Sequence, residues 1–218
     1  MTEVCEFIKD MRKDINVEDF CNEITARINS IYKAYGMNMR MLKNKPVMRM
    51  TSSAVVYSKK RREIWMVGDC QCMINGVLHE NTKPCEKLVA EKRAAIIRKA
   101  LDNGATVAQI QADDIGRRAI EPDLKESCKM QNIDYSVVDG FPIPQSKVKV
   151  IRLEDNPAEI VLASDGYPNL KPTLEESECE LKRILSEDPL CIKLNVATKG
   201  LAKGRFSFDD RTYIRFID

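Results

Sequence analysis

Apolar residues recur at helical spacing near the start of the chain. The residues on this face are Phe20, Ile24, Ile28, Ile31 and Tyr35. Their spacing predicts an amphipathic helix over residues 17–35, which Gly36 ends, and a shorter helix is expected over residues 3–13. The Met-rich segment 37–50 lacks a clear period, and we expect an irregular connection there.

From residue 51 the chain changes to short β-branched and aromatic runs separated by turn residues. The first runs are TSSAVVYS, IWMVGD and CQCMING. They predict an antiparallel meander. The later runs are YSVVD, VKVIRLE, AEIVLAS and the C-terminal TYIRFI. We expect each of these later runs to form a strand as well.

Helical spacing returns between the two groups of strands and once more near the end. It predicts a helix over residues 85–101 and a helical region over 107–131 that breaks near Glu121 and Pro122. A last helix should begin at Thr173, because Thr173 and Glu176 form the Ser/Thr-x-x-Glu pattern of a capping box.

Strands in groups, separated by helices in groups, favour an α+β fold over regular βαβ alternation. No internal repeat or low-complexity linker marks a boundary, so we predict a single domain over residues 1–218. Lys and Arg together number 35 against 33 Asp and Glu, so the formal net charge is only +2. This balance, with no basic stripe, argues against nucleic acid as a partner.

The sequence also indicates where in the cell the protein is located. No apolar stretch reaches the ~18 residues of a membrane span, and the first residues are too charged for a signal peptide. We therefore expect a cytoplasmic protein that does not interact with membranes. The 8 Cys are scattered along the chain, which favours reduced thiols over a disulfide framework.

Three acidic residues lie at the ends of strand-like runs. Asp69 ends IWMVGD, Asp165 ends EIVLASD before Gly166, and Asp209 lies just before TYIRFI. Carboxylates that converge from several strand ends form an all-oxygen site for a hard divalent cation. Turns also favour Asp and Gly whatever their function, so each residue taken alone is only a weak indication of a cation site. The lone His79 lies in a polar, turn-like stretch and is expected on the surface.

Taken in order, these segments resemble the metal-dependent protein phosphatases of the PPM type, or type 2C. MTSSAVVYSKKRREIWMVGDCQCMING is similar to that family's strand-turn-strand section with its Val-Gly-Asp-Ser segment. IVLASDGY is similar to its Leu-Ala-Ser-Asp-Gly segment, and FSFDDRTYIRF to its closing Asp-Asn-x-Thr strand. The resemblance covers roughly residues 15–218 and is thinnest over the helical insert at 105–132.

The resemblance implies a four-layer α-β-β-α sandwich of two packed antiparallel sheets, with a binuclear Mg²⁺ or Mn²⁺ centre in its cleft. A metal-activated water would hydrolyse phosphoserine or phosphothreonine in a phosphoprotein substrate. By motif, Asp165 and Asp209 would ligate the core metals, and Asp69 would share a more weakly held additional metal with Asp165.

The chain departs from the family ahead of the helix at 17–35. There the family has an acidic first strand and an Asp-Gly-His-Gly-Gly-like segment, and this sequence shows neither, so we expect a fold that is incomplete at its N-terminus. Two functions follow from the resemblance: a protein serine/threonine phosphatase, or a catalytically inactive pseudophosphatase that binds a phosphoprotein or another partner. Without the resemblance, an α+β interaction module with incidental acidic turns stays open.

Overall fold

Helices and strands alternate in blocks along the computed structural model, which describes residues 2–218. The α-helices are α1 (Thr2–Asp10), α2 (Val17–Ala34), α3 (Met39–Asn44), α4 (Glu86–Asp102), α5 (Val107–Ala112), α6 (Ile115–Ala119), α7 (Glu121–Cys128) and α8 (Leu174–Glu187). The strands are β1 (Ala54–Ser58), β2 (Glu63–Val67), β3 (Gln71–Ile74), β4 (Val77–Glu80), β5 (Lys149–Arg152), β6 (Glu159–Ala163) and β7 (Tyr213–Ile217). Two short 3₁₀ turns lie at Pro46–Met48 and Gln145–Lys147.

The strands form two antiparallel sheets. The first sheet has the order β1-β2-β5, and the second has the order β4-β3-β6-β7. In the first sheet Trp65 of β2 pairs with Val56 of β1, and in the second Gln71 of β3 pairs with Ala163 of β6. Helices flank both sheets, so the predicted α+β class is confirmed.

Separate apolar clusters pack the two faces of each sheet. The first joins the N-terminal helices to one face of the first sheet, with Phe20 and Ile24 of α2 packed near Trp65. The second contains residues of both sheets, among them Met66 of β2 and Ile160 of β6. The third joins the second sheet to α8 and the preceding loop, through Val161, Leu181 and others. Alternation of side chains along each strand explains how one strand serves two clusters.

The predicted meander is wrong in one respect. β1 and β2 form a hairpin in the first sheet, whereas β3 pairs with β4 and β6 in the second, so the chain changes sheets after β2. Gly68 allows this change because its φ is +86°, and a Cβ there would lie 2.2 Å from the Oγ of Ser53. The polar-looking VLHE segment with His79 is strand β4 and pairs with β3.

Three further expectations need correction. The segment 37–50 contains helix α3, because the Asn38 side chain accepts from the backbone N–H of Met41 at 3.1 Å and Leu42 is buried. YSVVD forms only isolated bridges, of Val138 with Ser52 and of Tyr135 with Gln131. The region 107–131 contains three helices rather than two, since Asp114 caps a separate helix α6.

The remaining predicted elements are confirmed within one to three residues at their ends. The helix predicted over 17–35 is α2, and the capping box of Thr173 and Glu176 begins α8. All eight cysteines are free thiols, and six of them are at least partly buried. The four buried ones are Cys21, Cys70, Cys72 and Cys191. No helix in residues 2–218 combines the length and the apolar character needed to cross a membrane.

Candidate functional site

The three acidic residues singled out in the sequence line one cleft. Asp69 follows β2, Asp165 follows β6, and Asp209 lies ahead of β7, so three separate loops bring them together. The cleft has a volume of roughly 540 Å³. We call it the acidic cleft and define it by these three residues together with Glu86, Lys83 and Lys199, which also line it.

Close backbone contact holds two of these loops side by side. A Cβ at Gly166 would lie 2.2 Å from the carbonyl oxygen of Asp210, so the chain after Asp165 touches the chain after Asp209. The backbone N–H of Thr212 donates to the Oγ of Ser164 at 3.0 Å and fixes the same pair of loops. Glycine at 166 is therefore what allows Asp165 and Asp209 to share a cleft.

Asp69 is the most enclosed of the three carboxylates. Its side chain is 13% exposed and forms an ion pair with Lys83. The Ser53 hydroxyl donates to its other oxygen at 2.5 Å. Burial alone raises the pKa of a carboxyl group, but here the Lys83 ammonium and the Ser53 hydrogen bond outweigh it and lower the pKa of Asp69. Asp69 therefore stays ionised over the physiological range.

Asp209 has a cationic partner of its own. Lys199 forms an ion pair with its carboxylate, and both side chains are partly open to solvent at 44% and 37% exposure. Lys199 follows a loop that Asp188 organises by accepting backbone N–H groups, among them that of Leu194 at 2.8 Å. An exposed pair of this kind contributes little to stability, so its main effect is on the charge of the cleft.

Asp165 lies between these two ion pairs and has no such partner among the hydrogen bonds and ion pairs of residues 2–218. Partial burial raises its pKa, and the negative charges of Asp69 and Asp209 raise it further. Lys83 and Lys199 act in the opposite direction but do not cancel these effects. Asp165 still has an exposed surface in the cleft, so solvent screens part of this repulsion. Of the three carboxylates, Asp165 is therefore the one whose ionised form an added cation would stabilise most.

Glu86 is a further carboxylate of the cleft that lies outside the three sequence motifs. It begins α4 and lines the acidic cleft. Burial raises its pKa, Lys83 lowers it, and Asp69 and Asp165 raise it again. Its only sequence signal is its place as the first residue of an amphipathic helix, a position that favours acidic residues whatever their role.

The donor chemistry of the cleft fits a hard divalent cation, because carboxylate oxygens are the ligands that Mg²⁺ and Mn²⁺ prefer. The present arrangement is not a finished coordination shell. No group of three or more His, Cys, Asp or Glu side chains in residues 2–218 is arranged to hold a metal ion. Lys83 and Lys199 occupy two of the carboxylates, so a cation would have to displace these ammonium groups.

Cysteine and histidine supply no reactive group to the cleft. Burial and the charge of Asp188 raise the pKa of Cys191 to about 12, although this thiol lines the cleft. Cys70 is buried beside the cleft, and burial together with the charges of Asp69 and Asp165 raises its pKa to about 12. A thiol with so high a pKa carries almost no nucleophilic thiolate at neutral pH. His79 lies on β4 and is not among the residues that line the acidic cleft.

Two further cavities adjoin the acidic cleft. The first, which we call the arginine groove, is lined by Arg117, Arg205 and Arg211 and shares Lys199 and Asp209 with the cleft. The second, which we call the Tyr135 chamber, has a volume of roughly 400 Å³. Its shared residues with the cleft are Asp69, Lys83, Glu86, Asp165 and Thr198.

Arg117 lines both of these cavities, although the sequence analysis assigned no feature to the insert at 105–132. Comparison with protein-family models, curated proteins and solved structures gives no match to this chain. Function is therefore inferred from the three motifs and from the geometry of the cleft.

Proposed function

We propose that this chain is a metal-dependent protein serine/threonine phosphatase-like domain of the PPM type. The observation that carries the proposal is the convergence of Asp69, Asp165 and Asp209 in one cleft. These residues belong to three distant motifs, and the resemblance assigns them to one metal centre. A set of unrelated acidic turns has no reason to meet in one place.

The packing of the sheets supports the same proposal at the level of the fold. Apolar clusters lie between the N-terminal helices and the first sheet, between residues of the two sheets, and between the second sheet and α8. This order is the one expected of a four-layer α-β-β-α sandwich. We propose that architecture for the chain.

In this proposal Asp165 and Asp209 hold Mg²⁺ or Mn²⁺, and Asp69 shares an additional cation with Asp165. A bound cation of this kind lowers the pKa of coordinated water and supplies a nucleophile at neutral pH. Lys83 and Lys199 neutralise the charges of Asp69 and Asp209 until a cation binds. Once they are displaced, their ammonium groups are free to attract the phosphorylated residue.

A second candidate function is a catalytically inactive relative that binds a phosphoprotein. The ion pairs of Lys83 with Asp69 and of Lys199 with Asp209 favour it, because an internal ammonium group already neutralises each carboxylate. In that case the cleft needs no metal, and a phosphorylated partner binds without turnover.

One experiment separates the two functions. The full chain is given a phosphothreonine peptide in Mn²⁺ and in EDTA, beside the variants Asp165→Asn and Asp209→Asn and the exposed control Asp155→Asn. A phosphatase should release phosphate only with Mn²⁺, and each cleft variant should lose at least about tenfold in rate. The control should match the wild type.

Mn²⁺ binding measured by calorimetry on the same proteins completes the test. Phosphate release that survives EDTA, or that the two cleft variants leave unchanged, contradicts the metal-dependent mechanism. A folded wild type that binds the phosphopeptide but releases no phosphate supports the inactive relative instead.

A further inference from the structure

Phosphate recognition in the acidic cleft needs more positive charge than its lysines supply. A phosphorylated side chain carries about −1.5 to −2 charges at pH 7. Five carboxylates line the cleft against three lysines, two of which already pair with Asp69 and Asp209. A phosphoryl group entering this cleft would be repelled unless another cation lay at its border.

Arg117 is placed to be that cation. It lines the Tyr135 chamber together with Asp165 and Thr198, and it lines the arginine groove together with Lys199 and Asp209. It therefore lies where these two cavities adjoin, and Thr198, which it contacts, also lines the acidic cleft. An arginine keeps its charge at any physiological pH, and its planar fork matches two phosphoryl oxygens.

The hydrogen bonding of Arg117 leaves most of its donors available. Its Nη1 donates to the carbonyl oxygen of Thr198 at 3.0 Å. No carboxylate forms an ion pair with Arg117 in residues 2–218, whereas its neighbour Arg118 pairs with Asp113 at 2.9 Å. Because a guanidinium has five N–H groups, a single carbonyl contact orients Arg117 without using up its capacity.

The backbone of Arg117 is held by a buried network. Its N–H donates to Oδ1 of Asp114 at 2.7 Å, and the other oxygen of Asp114 accepts from Arg93 at 2.6 Å. Arg93 is fully buried. A Cβ at Gly116 would lie 2.9 Å from the Arg93 side chain, so α6 and α4 are in close contact.

The same Arg93 also holds the segment that leads to Thr198 and Lys199. Its Nη1 donates to the carbonyl oxygens of Leu190 at 2.9 Å and of Ala197 at 3.0 Å. Thr198 and Lys199 follow directly. One buried side chain therefore fixes both Arg117 and the loop that carries Lys199, which is the preorganisation that a binding site requires.

We propose that Arg117 binds the phosphoryl group of a phosphorylated peptide at the border of the acidic cleft, through two parallel N–H contacts. The identity of the ligand rests on the proposed function, but binding by Arg117 does not require turnover. The binding cation comes from the insert at 105–132, to which the sequence analysis assigned no role.

The test measures binding separately from hydrolysis. A fluorescent phosphothreonine peptide and its unphosphorylated form are titrated with the full chain in EDTA and in Mn²⁺, with fluorescence anisotropy as the readout. The variants are Arg117→Gln and Arg117→Lys, with Arg118→Gln as the matched control on the same helix. Circular dichroism and thermal unfolding verify that each variant is folded.

We expect Arg117→Gln to weaken binding of the phosphorylated peptide about 10- to 100-fold, since it removes a charge-assisted contact. Arg117→Lys should fall between Gln and the wild type, because lysine keeps the charge but not the fork. Arg118→Gln should stay within about twofold of the wild type. The unphosphorylated peptide should bind weakly to all four proteins.

The outcomes separate this inference from the proposed function. Equal affinity of Arg117→Gln and the wild type for the phosphopeptide overturns the inference, as does a wild type that fails to bind it. If the wild type hydrolyses the peptide and Arg117→Gln has an unchanged KM, the phosphatase stands and the inference fails. If binding depends on Arg117 but no phosphate is released, the inference about Arg117 stands and the proposed phosphatase activity is contradicted.

Discussion

Asp69 and Asp165 line one cleft, yet their surroundings move their pKa values in opposite directions. Lys83 and Ser53 lower the pKa of Asp69 despite its burial. Asp165 has no partner of that kind, and partial burial together with two neighbouring carboxylates raises its pKa. The same substitution at the two positions should therefore have opposite effects on folding.

We expect Asp69→Asn to lower the free energy of unfolding at pH 7 by about 1–3 kcal/mol, because it leaves the half-buried Lys83 without its partner. Ionised Asp69 stabilises the fold above its ordinary pKa of about 3.9, and this contribution is lost as the pH falls through its lower folded-state pKa. The difference from the wild type should therefore shrink towards pH 3. Urea unfolding in EDTA at several pH values measures it.

Asp165→Asn should leave the fold as stable at pH 7 or stabilise it by less than about 1 kcal/mol, since solvent screens the repulsion that it relieves. Ionised Asp165 opposes folding above its raised folded-state pKa, and this effect disappears as the pH falls below about 3.9. The same urea series measures it. A loss of stability at pH 7 as large as that of Asp69→Asn would contradict this expectation and show that ionised Asp165 has a stabilising partner.

At the scale of the elements, the packing of helix α6 against α4 depends on a single small residue, Gly116. A Cβ at Gly116 would lie 2.8 Å from Ile97 and 3.0 Å from the carbonyl oxygen of Arg93, both in α4. Alanine is the better helix former by about 1 kcal/mol, but overpacking against a backbone atom costs about 1–3 kcal/mol. The close approach of α6 and α4 therefore decides whether Gly116→Ala stabilises or destabilises the fold.

We expect Gly116→Ala to lower the free energy of unfolding by about 1–2 kcal/mol and to weaken phosphopeptide binding, because Arg117 follows directly and moves with the helix. The exposed Ala119→Ser in the same helix is the control and should change neither quantity by much. Urea unfolding and anisotropy titration measure the two effects. A more stable Gly116→Ala would mean that α6 moves away from α4 without strain.

The elements that the sequence alone predicts well are those with a regular spacing of apolar residues or a clear capping motif. Helix α2 has one apolar face, and α8 has a capping box, so both were predicted nearly to the residue. Helix α3 was missed because its start depends on the side chain of Asn38 and its anchor on one buried leucine. The change of sheet after β2 was also missed, since it depends on the backbone of Gly68 and on no apolar pattern.

The candidate site was predicted in part for a related reason. Asp69, Asp165 and Asp209 each follow or precede a strand, so their motifs were visible in the sequence. Lys83, Lys199 and Arg117 lie in loops or in a five-residue helix, where no period separates a functional cation from a solvated one. The single domain over residues 1–218 stays a prediction.

At the scale of the whole molecule, the acidic cleft joins distant parts of the chain. The side chain of Gln71 in β3 donates to the carbonyl oxygen of Tyr167 at 2.8 Å across a separation of 96 residues. The one tryptophan, Trp65, is buried instead against Phe20 of α2, at 5.5 Å between ring centroids. Trp65 therefore reports on the N-terminal helices and the first sheet.

We expect refolding from urea to restore Trp65 fluorescence before it restores phosphopeptide binding. The contacts of Trp65 with Val56 and Phe20 span fewer residues than the pairing of β3 with β6, and such contacts form at a lower entropic cost. Stopped-flow fluorescence, with refolding samples mixed with the labelled peptide after increasing delays, measures the two rates. The variant Arg118→Gln, which should bind normally, controls for surface charge. Equal rates for both signals would mean that the molecule folds in one step.

The pairing of β3 with β6 thus has a consequence in time as well as in space. A chain emerging from the ribosome presents Asp69 and Lys83 long before Asp165 and Asp209 have been synthesised. Lys83 is synthesised soon after Asp69, and their ion pair would shield a carboxylate that would otherwise be left unpaired as burial proceeds. The lysine that pairs with Asp69 in the finished protein would in this way also protect that carboxylate during synthesis.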